Sequence, residues 1–141
     1  MMKFRKSGFN YIVKLNKGEE VMEQLAKLCK EQNIEAGYFT AIGAASEVKL
    51  GYFDPVKKIY KSRDFVENFE ITSLVGNIGR LKNNDVIIHS HINLSDKNYG
   101  LIGGHLFKCK ISLVCELFVT DLGEKIVKLP DREFGLNFMD L

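Results

Sequence analysis

The strongest constraint on the fold is a single change in hydrophobic period along the chain. Between Glu19 and Gln32, apolar residues recur every three to four positions, which predicts one helix. Glutamates in its first turns and lysines near its end suit the helix dipole. From residue 33 to residue 120, stretches of alternating apolar and polar residues follow one another. One helix beside a mostly antiparallel sheet of about seven or eight strands predicts an α+β domain.

Turn residues divide the alternating part of the chain into separate predicted strands. Residues 43–46 are small and are interpreted as a tight turn, and residues 82–85 as a polar turn. Residues 58–65 and 69–79 are interpreted as the two strands of a hairpin. The tail beyond residue 125 is expected to add one more strand. The predicted strands cover residues 8–15, 36–42, 47–53, 58–65, 69–79, 86–92, 100–107 and 111–120.

Alternation also predicts which side chains form the core. In the first strand, Phe9, Tyr11, Val13 and Leu15 fall on one side. Most of the strand phenylalanines are expected to be buried as well. The three cysteines are odd in number and form no CxxC pair, which favours buried thiols over a redox or metal role. These phenylalanines and cysteines are Phe39, Phe53, Phe65, Phe69, Phe107, Phe118, Cys29, Cys109 and Cys115.

Length and charge exclude several classes of protein. A chain of 141 residues fits one domain, taken here as residues 1–141. Its formal charge of +2 argues against an electrostatic grip on nucleic acid, and the basic residues 3–6 are interpreted as a solvated terminus. No apolar run approaches the ~20 residues that span a bilayer. The N-terminus lacks the pattern of a secretory signal, which predicts a cytoplasmic protein.

The histidines form the one cluster with clear chemical potential. All three lie between residues 89 and 105, as His89-Ser90-His91 and Gly103-Gly104-His105. Residues two apart on a strand point to the same face, so His89 and His91 can converge on one ion, and His105 can join them from a neighbouring strand. Three neutral imidazoles are a common set of protein ligands in an open zinc site, which leaves a fourth position for water or another ligand.

Other interpretations of this segment stay open. The imidazoles can simply line the wetter face of a strand. Catalysis would require a general base and a substrate pocket; Asn93 and Asp96 can orient a water or a substrate, but equally fit a strand end and a turn. Ser90 is expected to point away from the histidines. Residues 103–104 lack Cβ atoms, which allows close backbone approach or a β-bulge.

Six short motifs, in order, resemble the plants-and-prokaryotes conserved (PPC) domain, in its free-standing prokaryotic form. The resemblance covers roughly residues 8–120. The motifs are Gly18-Glu19-Glu20-Val21, Gly43-Ala44-Ala45-Ser46-Glu47, Gly51-Tyr52-Phe53-Asp54, Phe69-Glu70-Ile71, His89-Ser90-His91 and Gly103-Gly104-His105-Leu106.

The resemblance implies an antiparallel sheet packed with helix, assembled as a homotrimer, with a metal ion, zinc, on the three matching histidines. In the plant relatives, a Phe-Glu-Ile segment carries part of the contact with transcription factors, and Phe69-Glu70-Ile71 matches it here. The two preceding residues are Glu67-Asn68 rather than Gly-Arg. The plant proteins also carry an AT-hook, Arg-Gly-Arg-Pro. Neither Pro55 nor Pro130 follows that sequence, so direct DNA binding is not expected.

Three hypotheses follow. The first is a homotrimer whose histidines hold a zinc-type ion that binds a small ligand or supports an undefined metal-assisted reaction. The second is a regulatory module that contacts DNA or DNA-bound proteins. The third is a structural trimer whose histidines only pack. The sequence leaves the substrate, the catalytic residues and the cellular partner unknown.

Overall fold

A computed structural model describes all 141 residues as one helix and eight strands. The helix α1 follows the second strand, and all other elements are strands joined by short turns. The α+β expectation and the strand count of about eight are confirmed. The bounds are β1 Lys3–Ser7, β2 Asn10–Asn16, α1 Val21–Glu31, β3 Gly37–Asp54, β4 Ile59–Arg80, β5 Val86–Ser95, β6 Leu101–Asp121, β7 Lys128–Pro130 and β8 Asn137–Met139.

Six strands form one antiparallel sheet in the order β1-β2-β6-β3-β4-β5. An additional pairing joins β5 to β6, so that β3, β4, β5 and β6 close into a ring. The remaining strands, β7 and β8, pair only with each other. Closure leaves β5 and β6 without a free edge where they meet. The two strands that carry the histidines are therefore neighbours within a continuous hydrogen-bonded network.

The helix covers part of this sheet and completes a core of 25 buried residues. It packs on β5 and β6, and it buries Val21, Leu25, Leu28 and Cys29 as the helical period predicts. The Glu20 carboxylate caps the helix by accepting from the Glu23 backbone N–H at 2.8 Å, and it also accepts from Cys109 N on β6 at 2.8 Å. This capping ties the start of the helix to the sheet. No helix is long and apolar enough to span a membrane.

The predicted breaks within the long strands are wrong. Residues 43–46 do not form a turn but lie inside β3, and residues 58–65 and 69–79 are one strand, β4, rather than a hairpin. Likewise, residues 100–107 and 111–120 belong to β6. The pairing register shifts between Ala41 and Gly43, and again between Ala45 and Glu47. Such bulges interrupt the alternation of side chains without ending the strand, which explains the misplaced turns.

Residues 3–6 are exposed to solvent, as expected, but they are ordered as β1, which pairs with β2. The predicted burial of aromatic residues holds only in part. Phe39 and Phe69 are buried, but Phe9 and Phe118 are exposed by 66% and 58%. The three cysteines are buried and unpaired, as predicted. Position on a strand therefore predicted the small and aliphatic core better than the aromatic one.

Candidate metal centre

The histidine trio lies on the outer face of the ring where β5 meets β6. His91 is paired directly with His105 where the two strands meet. His89 lies two residues before His91 on β5, so it faces the same side. Directly paired residues of neighbouring strands project to the same face. Ser90 points inward, as alternation predicts, and its hydroxyl donates to the Met22 sulfur at 3.4 Å. The structure thus brings all three predicted ligands to one place.

The three imidazoles are close enough to share one ion. One ring nitrogen from each residue lies within 4.8 Å of those of the others. The Nε2 atoms of His89 and His91 are 3.2 Å apart, close to the ~3.3 Å edge of a tetrahedron with bonds of about 2.0–2.1 Å. Two nitrogens at this distance cannot both carry a proton directed at the other. The pair therefore includes at least one free lone pair.

Two aromatic rings hold His105 in place from the other side. The Tyr60 ring centroid lies 5.0 Å from that of His105, and the Phe107 centroid lies 4.8 Å from it. Gly51, the β3 residue paired with His105, makes room for both rings, because an added Cβ would lie 2.4 Å from Phe107 and 3.1 Å from Tyr60. The contact between Tyr60 and His105 was not predicted from the sequence. The Gly51-Tyr52 motif contains the glycine that makes room for the Tyr60 ring, but the motif alone does not indicate this packing role.

The glycines before His105 allow a close approach of β6 to its neighbours. A Cβ on Gly103 would lie 2.6 Å from the Ile92 carbonyl oxygen, and one on Gly104 would lie 2.8 Å from the Gly51 carbonyl oxygen. Both clashes involve backbone, which cannot rotate away. The expectation of close backbone approach is confirmed at these two positions.

Burial keeps two of the imidazoles neutral. Removal from water, followed in size by the effects of His89 and His91, lowers the pKa of His105 to about 4. Burial, followed by the effects of His91 and Lys128, also lowers the pKa of His89. An imidazole must be neutral to bind a metal. At neutral pH these two imidazoles are therefore already in the protonation state that a metal requires.

The polar residues that follow on β5 hold the strands and the turn. Asn93 donates to the Ser73 hydroxyl at 2.9 Å, across to β4. Asp96 accepts from the backbone N–H groups of Asn98 and Gly100 at 2.7 and 2.9 Å, inside the β5–β6 turn. These contacts match the structural interpretation of both residues. Neither side chain is used by the histidine trio.

A cavity of about 210 Å³ adjoins two of the histidines. Its wall combines strand residues near the trio with a stretch of the C-terminal tail. No carboxylate side chain is among them. The lining residues are Tyr60, Ile87, Ile88, His89, His105, Leu136, Asn137 and Phe138.

The Phe69-Glu70-Ile71 segment lies on β4, away from the histidine pairing. Phe69 and Ile71 are buried in the core, with 3% and 2% exposure, and Glu70 alone of the three faces solvent. Glu70 pairs with Ala44 on β3 and with Ser95 on β5. A partner reaching this segment would meet only Glu70.

The residues present fit a divalent metal ion. Three imidazole nitrogens converge, and the Nδ1 atom of His105 is buried without a hydrogen-bond partner. Buried polar atoms are rarely left unpaired, and such an atom in a cluster of donors is typical of a ligand position. Imidazole donors favour zinc and later transition metals over calcium or magnesium.

Comparison with known proteins places this geometry in a family. The model of the Plants and Prokaryotes Conserved (PCC) domain matches residues 2–123. A Bacteroides thetaiotaomicron protein with a provisional DNA-binding assignment is 35% identical, with a TM-score of 0.95 over 99% of this chain and 97% of that one. A metal-containing protein from Archaeoglobus fulgidus is 30% identical, with a TM-score of 0.87 over 100% and 99%. A PPC protein from Pyrococcus horikoshii is 29% identical, with a TM-score of 0.87 over 100% and 95%. A search of curated proteins found no match.

Proposed function

The chain belongs to the Plants and Prokaryotes Conserved (PCC, or PPC) domain family, and from that premise we propose that it is a homotrimeric, single-domain metal-binding protein. In this proposal, His89, His91 and His105 hold a zinc-type ion beside a pocket for a small ligand. The observation that carries the proposal is the convergence of three ring nitrogens within 4.8 Å on one face. The metal content of the Archaeoglobus relative supports it.

Self-assembly is supported by an exposed apolar surface next to the histidines. Thr40 is paired with Val75 on one side and with Phe118 on the other, and Val75 is paired with His91. Large apolar side chains around this row are exposed on the outer face of the ring, although such surfaces are usually covered. We call this surface the outer apolar patch. Its members are Tyr38, Ile42, Val75, Leu113 and Phe118.

In this proposal the histidines bind the ion, and neighbouring aromatic residues shield it from water. A divalent ion bound there would supply a Lewis acid for an oxygen-bearing ligand. Tyr60 and Phe107 fix the His105 ring and exclude water from one side of it. The cavity offers a place for a ligand next to His89 and His105. Because no carboxylate lines it, the site favours ligand binding over general-base catalysis by an acidic residue.

Native mass spectrometry tests the metal and the assembly together. We expect a species of three times the 16.0 kDa chain mass that carries three zinc ions after loading near neutral pH. Denaturing spectra of the same sample should give the metal-free single chain and serve as the control. A monomer would contradict the homotrimer, and a trimer that takes up no zinc would contradict the metal site.

A second candidate function is a DNA-associated regulatory module, which the provisional assignment of the Bacteroides relative favours. The near-balanced charge and the missing AT-hook argue against direct recognition. In a fluorescence anisotropy titration with an A·T-rich duplex at about 0.15 M salt, we expect no binding tighter than the ~1 μM limit of non-specific contacts. Tighter, sequence-dependent binding would replace the first proposal with the second.

A further inference from the structure

The first strand forms an open edge of the main sheet. β1 pairs only with β2, and all of its residues, Lys3–Ser7, are exposed to solvent. Apart from its bonds to β2, this strand makes no backbone hydrogen bond. An exposed edge presents a row of unpaired N–H and C=O groups, which can accept another strand. This edge of the sheet is therefore available to a further strand.

The hydrogen-bond pattern shows which backbone groups of β1 are free. Asp121 N donates to Phe9 O at 2.8 Å, immediately before β2 begins. Because antiparallel bonding alternates along a strand, odd-numbered residues of β2 bond to β6 and even-numbered ones bond to β1. The even-numbered residues of β2 are paired with the odd-numbered residues of β1. The N–H and C=O groups of Phe4 and Lys6 therefore point to the open edge.

A groove of about 480 Å³ lies beside this edge, on the outer face of the sheet. Three cations line it, Lys3, Arg5 and Lys14, against the single carboxylate of Glu116. None of these four charges belongs to an ion pair of the chain. Lys3 is paired directly with Lys14, and like charges in that arrangement repel. The groove therefore carries an uncompensated positive charge. Its other lining residues are Phe4, Ile12, Val13, Leu117 and Phe118.

These charges restrict which chain can be added at the edge. A second copy of β1 would bring Lys3, Arg5 and Lys6 of two subunits together, which like-charge repulsion disfavours. A nucleic acid would match the positive charge, but it has no row of amides and carbonyls to pair with the free backbone groups. An extended acidic peptide satisfies both the backbone and the side chains.

We propose that β1 binds an extended acidic segment of a partner protein as an added strand. Lys3 and Arg5 lie two residues apart, about 6.6 Å along the strand, so acidic residues at every second position of the segment face both. The position between them faces Phe4, which is 39% exposed and suits an apolar residue. The recognised pattern is therefore acidic, apolar, acidic. Backbone bonds supply affinity, and the alternate side chains supply specificity.

An NMR titration of the full-length protein with acetylated, amidated Glu-Val-Glu-Val-Glu tests the proposal. We expect saturable binding with a Kd below about 1 mM at ~0.15 M salt. Two peptides of the same length are controls. Lys-Val-Lys-Val-Lys reverses the charge, and Glu-Pro-Glu-Pro-Glu keeps the charge but lacks the N–H at each apolar position. Neither control should saturate, and equal binding of the proline peptide would refute strand addition.

Two charge reversals on the same strand separate the groove from general attraction. Arg5 lines the groove, whereas the Lys6 ammonium lies over the Tyr11 ring, 5.2 Å from its centroid, on the opposite face. Arg5→Glu should weaken peptide binding by about tenfold or more, because an attraction becomes a repulsion. Lys6→Glu changes the net charge equally and should weaken it less than about threefold at ~0.15 M salt. Equal losses in both variants would overturn the proposal.

Amide hydrogen exchange shows whether the peptide occupies the edge itself. The amides of Phe4 and Lys6 should exchange rapidly in the free protein and at least about tenfold more slowly when the peptide is saturating. Slow exchange of both amides before peptide is added would mean that another copy covers the edge, and would overturn the proposal. So would tighter binding of a single-stranded oligothymidylate with the same dependence on Arg5, or no peptide saturation up to about 10 mM.

Discussion

Replacing His105 with alanine should reduce bound zinc from one ion per chain to background. His105 is the only ligand supplied by β6, and its loss leaves two nitrogens from one strand. Loss of a direct ligand should cost at least the ~100-fold in affinity that outer-shell changes reach. Zinc at about 100 times its Kd should stabilise the parent by ~2.7 kcal/mol, and the variant by almost nothing. Elemental analysis and thermal melting with and without zinc measure both effects.

Asn93→Ala is the matched control, because Asn93 shares the outer face of β5 but bonds to Ser73 instead of joining the trio. It should retain zinc. If His105→Ala binds zinc as tightly as the parent, the trio is not the metal site.

The pH dependence of stability in the metal-free protein tests His105 independently of metal binding. The pKa of His105 is lowered to about 4 in the fold, whereas an unfolded histidine titrates near ~6.5. As the pH falls from about 6.5 to 4, the unfolded chain binds the proton first, so the folded state loses stability over that range. Below pH 4 this contribution levels off. His105→Ala should therefore show a smaller fall in Tm across this range than the parent.

Convergence of the histidines was predictable because two simple rules determine it. Alternation puts His89 and His91 on one face, and a short turn at residues 96–100 folds β6 back so that His105 meets His91. Lys128 and Tyr60 could not be predicted in the same way. They come from distant strands, and their approach depends on how the ring closes and where the tail returns. Local patterns carry no information about such packing.

The number and kind of elements followed from the sequence, but their continuity did not. Between the pairs Ala45–Phe69 and Glu47–Val66, β4 has one more residue than β3, which forms a β-bulge at Glu67 and Asn68. The polar residues at this bulge have the composition of a turn, although the strand continues through them. Pairing on both sides of β3 keeps the long strands intact. The energy that decides continuity therefore comes from neighbouring strands, which alternation within one segment cannot reveal.

Replacing Gly76 with alanine should give the largest loss of stability among conservative changes near the site. Gly76 is paired with Ser90, between the two β5 histidines, and an added Cβ would lie 2.5 Å from the His89 carbonyl oxygen and 2.6 Å from the buried Phe39 ring. Neither group can move freely, since one is backbone within the sheet and the other is part of the close-packed core.

Overpacking of this kind costs about 3 kcal/mol at its upper range, which corresponds to a fall in Tm of roughly 6–12 °C for a chain of this size. Because the clash displaces the His89 backbone, zinc affinity should fall as well. Val66→Ala is the control: the residue lies on the same strand but is 80% exposed, and its loss should change stability by less than about 0.5 kcal/mol. If Gly76→Ala melts with the parent and retains zinc affinity, the two strands do not approach as closely as described, and the rigid placement of His89 would have to come from elsewhere.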